Sequence, residues 1–249
     1  MYHKQSINMD NQQINILAYN HVSIDCVVVG FDGEKLKVLL IKRIVDDFDG
    51  ANERKLPGSL IYMDEDLDAA ASRVLFELTG INNVNLAQFK AFGSKDRTKN
   101  PKDILWLERA VKSKIERIIT IGYIATVNID TEFNTQLDKY QASWVAVDEI
   151  EELAFDHNII INEALLYINY LTELNLAYLF ELLPPKFTIA QFRNLLGLVK
   201  GKTYDVKNFH KKLPQMPYLV QLEEKELGVA HRAAKYYKFD RKIYNKLRK

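Results

Sequence analysis

Two regimes of hydrophobic patterning divide the chain. In the first, short dense apolar blocks from Val22 to Gly30 and from Leu36 to Lys42 predict strands, and Asp32-Gly33 between them has the turn chemistry of a hairpin. Leu86 to Phe92, Ile118 to Val127 and Ser143 to Val147 give three further strand patterns. Leu67, Ala71, Val74, Leu75 and Leu78 instead recur three and four residues apart, the mark of an amphipathic helix, which Gly80 stops. Residues 98–116 read as a helical insertion: Ile104, Leu105, Leu107, Val111 and Ile115 have helical spacing after Asn100-Pro101, and the helix carries Trp106. A helical pattern starts at Asp148 and runs through EIEELAFDH. Asn158 to Leu183 then predicts one long or two short helices, ended by Pro184-Pro185.

In the second regime, beyond the prolines, Thr188 and Gln191 have capping-box spacing for a helix whose apolar face is Phe192, Leu195, Leu196 and Val199, with Gly201 as its stop. Asp205 caps a second helix from Val206 to about Leu213, with Val206, Phe209 and Leu213 on one face. Its other face is Lys207, Asn208, His210, Lys211 and Lys212. Strand patterns at Tyr218 to Leu222 and Ala234 to Phe239, with Gly228, His231 and Arg232 between them, complete the expectation of a winged helix-turn-helix.

The expected fold class is thus α/β (α+β): a mixed-sheet α/β/α domain followed by a winged helix-turn-helix. The expected division is a flexible arm at 1–20, a sheet domain at 21–157, a helical connector at 158–185 and the winged helix at 186–249.

Charge sharpens this division. The 34 Lys and Arg nearly balance the 33 Asp and Glu, for a net charge of +1. From Lys186 onward, however, 16 basic residues face 5 acidic ones, a net of +11, which leaves −10 on the rest. A basic domain on an acidic body points to a polyanionic partner, with double-stranded DNA first. Lys207, Lys211 and Lys212 suit phosphates, and Asn208 and His210 suit base edges. His231, Arg232 and Lys235 suit the wing. No apolar run is long enough to span a bilayer, and the first residues carry no signal-peptide core. With one cysteine, Cys26, set among valines, this gives the expectation of a cytoplasmic protein with a buried thiol.

Candidate chemistry lies between Leu56 and Ile81, LPGSLIYMDEDLDAAASRVLFELTGI. In spacing this resembles the Nudix box, with Ser59 at the first glycine position, Glu65 at the first glutamate, Arg73 at the arginine and Gly80-Ile81 at the end. Active boxes place carboxylates on one helix face to hold divalent cations against a diphosphate. Here Val74 and Leu78 stand at two of those positions, so only Glu77 remains. This predicts no catalytic residues, no metal and no cofactor, and a box that survives as core packing.

DCVVVGF at 25–31, AFGSKDR at 91–97, WVAVDEIEELAFDH at 144–157 and LLPPKFTIAQFRNL extend the likeness to the Nudix-related transcriptional regulators. That family includes NAD-metabolism repressors and arabinose-responsive regulators of the Bacteroidetes, and the RV-x-x-ELTG remnant resembles the sugar-responsive branch. The resemblance implies a homodimer on operator DNA, controlled by a small molecule in a degenerate Nudix cleft. A pentose such as arabinose or xylose is favoured, with an ADP-ribose-type nucleotide second. Arg43, Asp96, Arg97, Arg117 and Tyr123 are the polar candidates for that cleft. Two other readings stand beside it. One is a Nudix hydrolase of a nucleoside-diphosphate-linked substrate with a nucleic-acid-binding appendage. The other is an interaction module using the Trp106 insertion.

Overall fold

The structure is a computed structural model and describes residues 18–42, 54–112, 114–115, 117–129, 140–226 and 233–248. Its first part is built on a long strand, β1 (Ala18–Phe31), flanked by β2 (Leu36–Lys42) and, in parallel, by β6 (Ile119–Asn128). The short β3 (Arg54–Lys55) and β7 (Ser143–Ala146) pair with β2, β4 (Gly58–Tyr62) pairs with β1, and β5 (Ala87–Phe92) pairs with β6. β1 begins at Ala18, inside the stretch expected to be an arm.

Alternation along β1 sorts its side chains onto two faces. Ile24, Cys26 and Val28 meet Ala70, Ala71, Val74 and Leu75 of helix α1 (Leu67–Thr79). Val27, Val29 and Phe31 share the opposite core with Ile160, Ile161, Ala164 and Ile168 of α3 (His157–Leu174). Both α1 ends follow local chemistry: the Asp66 carboxylate accepts from the Ala69 N–H, and Gly80 takes the left-handed conformation at φ 75°.

The insertion contains α2 (Pro101–Val111), started by Asn100. Its apolar phase differs from the expected one. Leu105 is exposed, while Asp103 is buried and its carboxylate accepts from the Phe155 N–H. Trp106 packs edge-on against Phe155, and Leu107 joins Leu60, Ile115 and Ile118. The segment expected to turn helical from Asp148 does so only briefly, as a 3₁₀ turn over Val147–Glu149. Asn158 holds the following stretch extended by accepting from the Leu153 N–H and donating to Glu151 O. α3 ends at Asn175, whose side chain caps a 3₁₀ turn over Leu176–Glu181.

That turn delivers Phe180 to the centre of the C-terminal unit. Its ring stacks on Phe239 at 4.0 Å and Phe192 at 5.1 Å and stands edge-on to Tyr218. Around it lie β8 (Phe187–Thr188), α4 (Ile189–Lys200), α5 (Val206–Lys212), β9 (Leu219–Lys225), β10 (Lys235–Phe239) and α6 (Arg241–Leu247). The capping box of Thr188 and Gln191 is complete. The sequence pattern missed β8, a two-residue strand that closes a three-stranded sheet with β10 and β9. Val206, expected on the buried face of α5, is half exposed, and Phe209 anchors the helix against Phe192 and Tyr204.

The two parts share one apolar cluster that runs from Val27 through Ile168 to Phe192 and Tyr244. Polar ties reinforce it. Asn194 Nδ2 donates to Glu34 O at 2.7 Å, and Thr126 Oγ1 donates to Glu181 Oε2 at 3.2 Å. At the β1–β2 turn Gly33 has φ +99°, and a Cβ there would lie 3.0 Å from Gln191 Nε2. Glycine therefore serves twice, for the turn and for the close approach to the α4 capping box.

Candidate functional site

The box residues form a closed structural knot. Arg73 Nη2 meets Glu65 Oε1 at 2.5 Å and donates to Leu60 O at 3.1 Å, and the guanidinium lies 3.7 Å above the Tyr62 ring. The Tyr62 N–H also donates to Glu65. The Arg73 hydrogen bond holds the Glu65 carboxyl below its ordinary range, outweighing partial burial. Glu77 is exposed and reaches Arg73 Nη1 at 3.1 Å. Val74 is wholly buried, and Leu78 packs against the α1 core.

A divalent cation would need several convergent hard oxygens. Glu65 and Glu77 are both turned onto Arg73, Asp66 caps α1, and Asp68 accepts from the Tyr123 hydroxyl. Among the described residues no three His, Cys, Asp or Glu side chains come together as a metal site. This donor set does not fit the box metal. Arg73 instead fastens α1 to β4. Arg73→Ala is expected to lower stability by about 2 kcal/mol, the scale of charge-assisted hydrogen bonds left unmade, read as a shift in denaturant midpoint. An effect no larger than that of Glu77→Ala would show that the knot holds nothing.

The polar cleft candidates separate. Tyr123 is buried on the α1 face, where burial and Asp68 push its phenol well above the usual range. Asp96 is exposed in the β5–α2 loop, and the exposed Arg117 donates to Gly93 O at 2.8 Å. Arg97 lies on the other sheet face, withdrawn into the interior. Arg43 lies outside the described residues.

Arg97 belongs to a buried ionic cluster that sequence reasoning did not assemble. Its Nη2 meets Asp156 Oδ1 at 3.0 Å and Asp25 Oδ2 at 3.4 Å. His157 Nδ1 accepts from the Leu56 N–H at 3.1 Å, which leaves Nε2 to approach Asp25 Oδ1 at 3.5 Å. Lys55 Nζ donates to Leu56 O and Gly58 O and lies 5.6 Å over the Trp106 ring. A Cβ at Gly58 would lie 1.9 Å from Asp25 Oδ1, so this glycine is what admits the carboxylate. Burial pushes the Asp25 carboxyl up, yet His157, Arg97 and Lys55 outweigh it and hold the group far below the carboxylate range. The cluster ties β1, the box approach and the α2 loop to the first residues of α3. Asp156, at the α3 N-cap position, makes no side-chain cap and goes to Arg97 instead.

Burial raises the Cys26 thiol, and Sγ contacts Ala71 O at 3.7 Å. It is an interior hydrophobe, as expected.

At the other end of the molecule, Lys207, Asn208, His210, Lys211 and Lys212 are all exposed on α5, opposite buried Phe209, and Lys235 is exposed on β10. His231 and Arg232 lie outside the described residues. The strand side is more acidic than the net charge suggests: β9 carries Glu223 and Glu224, and Glu224 pairs with Lys186 at 2.5 Å. Positive charge lies on the helices: Lys207, Lys211 and Lys212 on α5, and Arg241, Lys242 and Lys246 on α6.

Comparison with known proteins follows the same division. A NUDIX domain model matches residues 19–164, and a model of the NrtR DNA-binding winged helix domain matches residues 179–239. The chain is 23% identical over 250 residues to the ADPR responsive transcriptional repressor NtrR of Acinetobacter baylyi, covering 96% of this chain and 92% of that one. Shewanella oneidensis NrtR, solved with a 27mer DNA, superposes with a TM-score of 0.62 at 23% identity, over 88% of this chain and 93% of that one. A MutT/nudix family protein from Enterococcus faecalis gives 0.59 at 22% identity, over 94% and 89%. These solved structures establish the fold, a mixed α/β Nudix sheet followed by a winged helix.

Proposed function

The chain belongs to the NUDIX family, and from that premise we propose that it is a DNA-binding transcriptional repressor whose Nudix domain senses a small molecule instead of hydrolysing one. The observation that carries this reading is the α5 face: five exposed polar or basic positions around one buried anchor, on the second helix of a winged helix-turn-helix. The box supports the loss of hydrolysis, because its remaining carboxylates are spent on Arg73. The repressor relative is named as responsive to ADP-ribose, which supports an ADP-ribose-type nucleotide as effector ahead of a pentose, the reverse of the order taken from the box remnant. A homodimer on a two-half-site operator fits the same reading.

Titration of the purified chain against its own upstream duplex, with and without ADP-ribose, arabinose or xylose, tests the proposal. Specific binding altered by one ligand is expected, with that ligand also raising the melting temperature. At 100 times its dissociation constant a ligand adds about 2.7 kcal/mol. Absence of duplex binding at micromolar protein sinks the repressor reading. Metal-dependent cleavage of ADP-ribose that Glu77→Gln abolishes restores the hydrolase.

A further inference from the structure

Where the β1–β2 turn meets α4, the sheet domain and the winged helix enclose a cavity of about 240 Å³. Leu36, Ile168 and Val199, all buried, form its floor, and Val147, Leu165 and Leu198 form its walls. Leu198 is 42% exposed, a large apolar side chain left without full cover. The charged lining residues are Lys35 and Asp148, which pair with each other at 3.0 Å on the rim. That rim is held from both sides. Asp32 Oδ1 accepts from the Glu34 and Lys35 N–H groups at 2.9 and 2.7 Å, which fixes the turn. Asn194 of α4 donates to Glu34 O and ties the same turn to the winged helix. The cavity is therefore preformed and touches both units at once, as small-molecule sites at domain junctions do.

We propose that this cavity is a binding site for a small, flat, uncharged aromatic molecule that carries a carboxamide-like end. Three observations select that chemistry. The first is size. An apolar cavity of roughly 150 Å³ stays dry and accepts one benzene ring, so this larger one has room for a fused pair of rings. The second is polarity. A water needs about two to four polar partners, and the floor and walls are leucine, isoleucine and valine. An aromatic body gains the dispersion contacts that this lining otherwise forfeits. The third is the rim, where the Lys35 ammonium is a donor and the Asp148 carboxylate beside it an acceptor. An amide uses both, its carbonyl accepting and its N–H donating. A carboxylate would have to displace Asp148 or Glu149, which hold Lys35 at 3.0 and 2.6 Å, and an ammonium would leave Lys35 unused. An ADP-ribose-type nucleotide, larger and doubly anionic, does not suit this cavity, so the site is distinct from the one proposed for the effector. A ligand here would alter how α4 seats on the sheet domain. That consequence for DNA rests on the repressor reading; the binding does not.

Methyl NMR titration of the full chain with indole carboxamide, indole carboxylate and indolylmethylamine tests it. The carboxamide is expected to bind with a dissociation constant on the order of 0.1–1 mM, the range for about twelve heavy atoms, and the other two at least ~10-fold more weakly. It should shift the methyls of Leu36, Val147, Ile168 and Val199 and leave those of Val74 and Leu75 in the α1 core unmoved. Leu198→Trp, which fills the cavity from its exposed wall, should weaken binding at least ~10-fold without lowering the melting temperature. Leu198→Phe gives the same reading if the tryptophan disturbs the fold. A chain that binds the carboxamide here but binds no duplex keeps the site and removes the repressor function. The proposal is overturned by unshifted cavity methyls at about 5 mM carboxamide, by a carboxylate that binds as well, or by a folded filled variant that binds like the wild type.

Discussion

Asp25→Ala is expected to lower stability by about 3–5 kcal/mol, a large share of the roughly 5–15 kcal/mol that separates folded from unfolded chains. The magnitude comes from what the alanine leaves behind. Arg97 has a nearly inaccessible side chain, and its Nη1 has no hydrogen-bond partner, so its charge depends on Asp25 and Asp156. Removing one of those carboxylates strands buried positive charge beside Lys55. Urea midpoints of the two proteins measure the effect, and a difference below about 1 kcal/mol would refute the assignment of this cluster as a structural keystone. The pH dependence has a definite sign. The folded carboxyl titrates below its unfolded value near 3.9, so its stabilisation is complete above that pH and is lost as pH falls towards the folded value. The gap between wild type and variant should stay constant from about pH 5 to 8 and close in stronger acid.

Lys211→Ala/Lys212→Ala should reduce duplex affinity and flatten its salt dependence by about two units of log–log slope, one for each phosphate that no longer faces an ammonium group. For the wild type, six to ten neutralised phosphates would cost roughly 10³–10⁵ in affinity between 50 and 200 mM salt. The double variant removes the cationic end of α5 without touching Phe209, so the winged helix keeps its anchor. Binding should weaken about equally on all sequences. Asn208→Ala, by contrast, should cost about 1–3 kcal/mol on the operator alone if the amide reads a base edge. An unchanged slope in the lysine variant would move the DNA-binding surface elsewhere on the molecule.

What could be read from the sequence was local. The capping box at Thr188, the stops at Gly80 and Gly201 and the strand blocks around β1 all depend on neighbours within a few positions, and the structure contains each of them. Val74 in the box likewise announced a packing face and lies wholly inside. The ionic cluster was illegible for the opposite reason: Asp25, Lys55, Arg97 and His157 stand far apart in the chain and meet only through the fold. A signal existed all the same. Asp25 opens DCVVVGF, Arg97 closes AFGSKDR, and Asp156-His157 end WVAVDEIEELAFDH, so three of the segments that carried the family resemblance each contribute to the cluster. A carboxylate beside the apolar block Cys26 to Val29 calls for a buried partner, and that inference was within reach. The phase of α2 could not be read because Asp103, a polar residue, faces inward beside Trp106 and Leu107, its carboxylate accepting from the Phe155 N–H.

Phe180 lies upstream of the proline pair yet sits at the centre of the winged helix, inside a cluster continuous with the sheet domain. The Nudix sheet domain and the winged helix are therefore not two beads on a string. No slack tether separates them about which one could swing. Packed rings and leucines would favour a small shear of α4 and Phe180 over α3, about one or two ångströms, over a hinge swing, as helices shift at bistable interfaces. A repressor built this way would transmit its signal as a change of fit, not of distance.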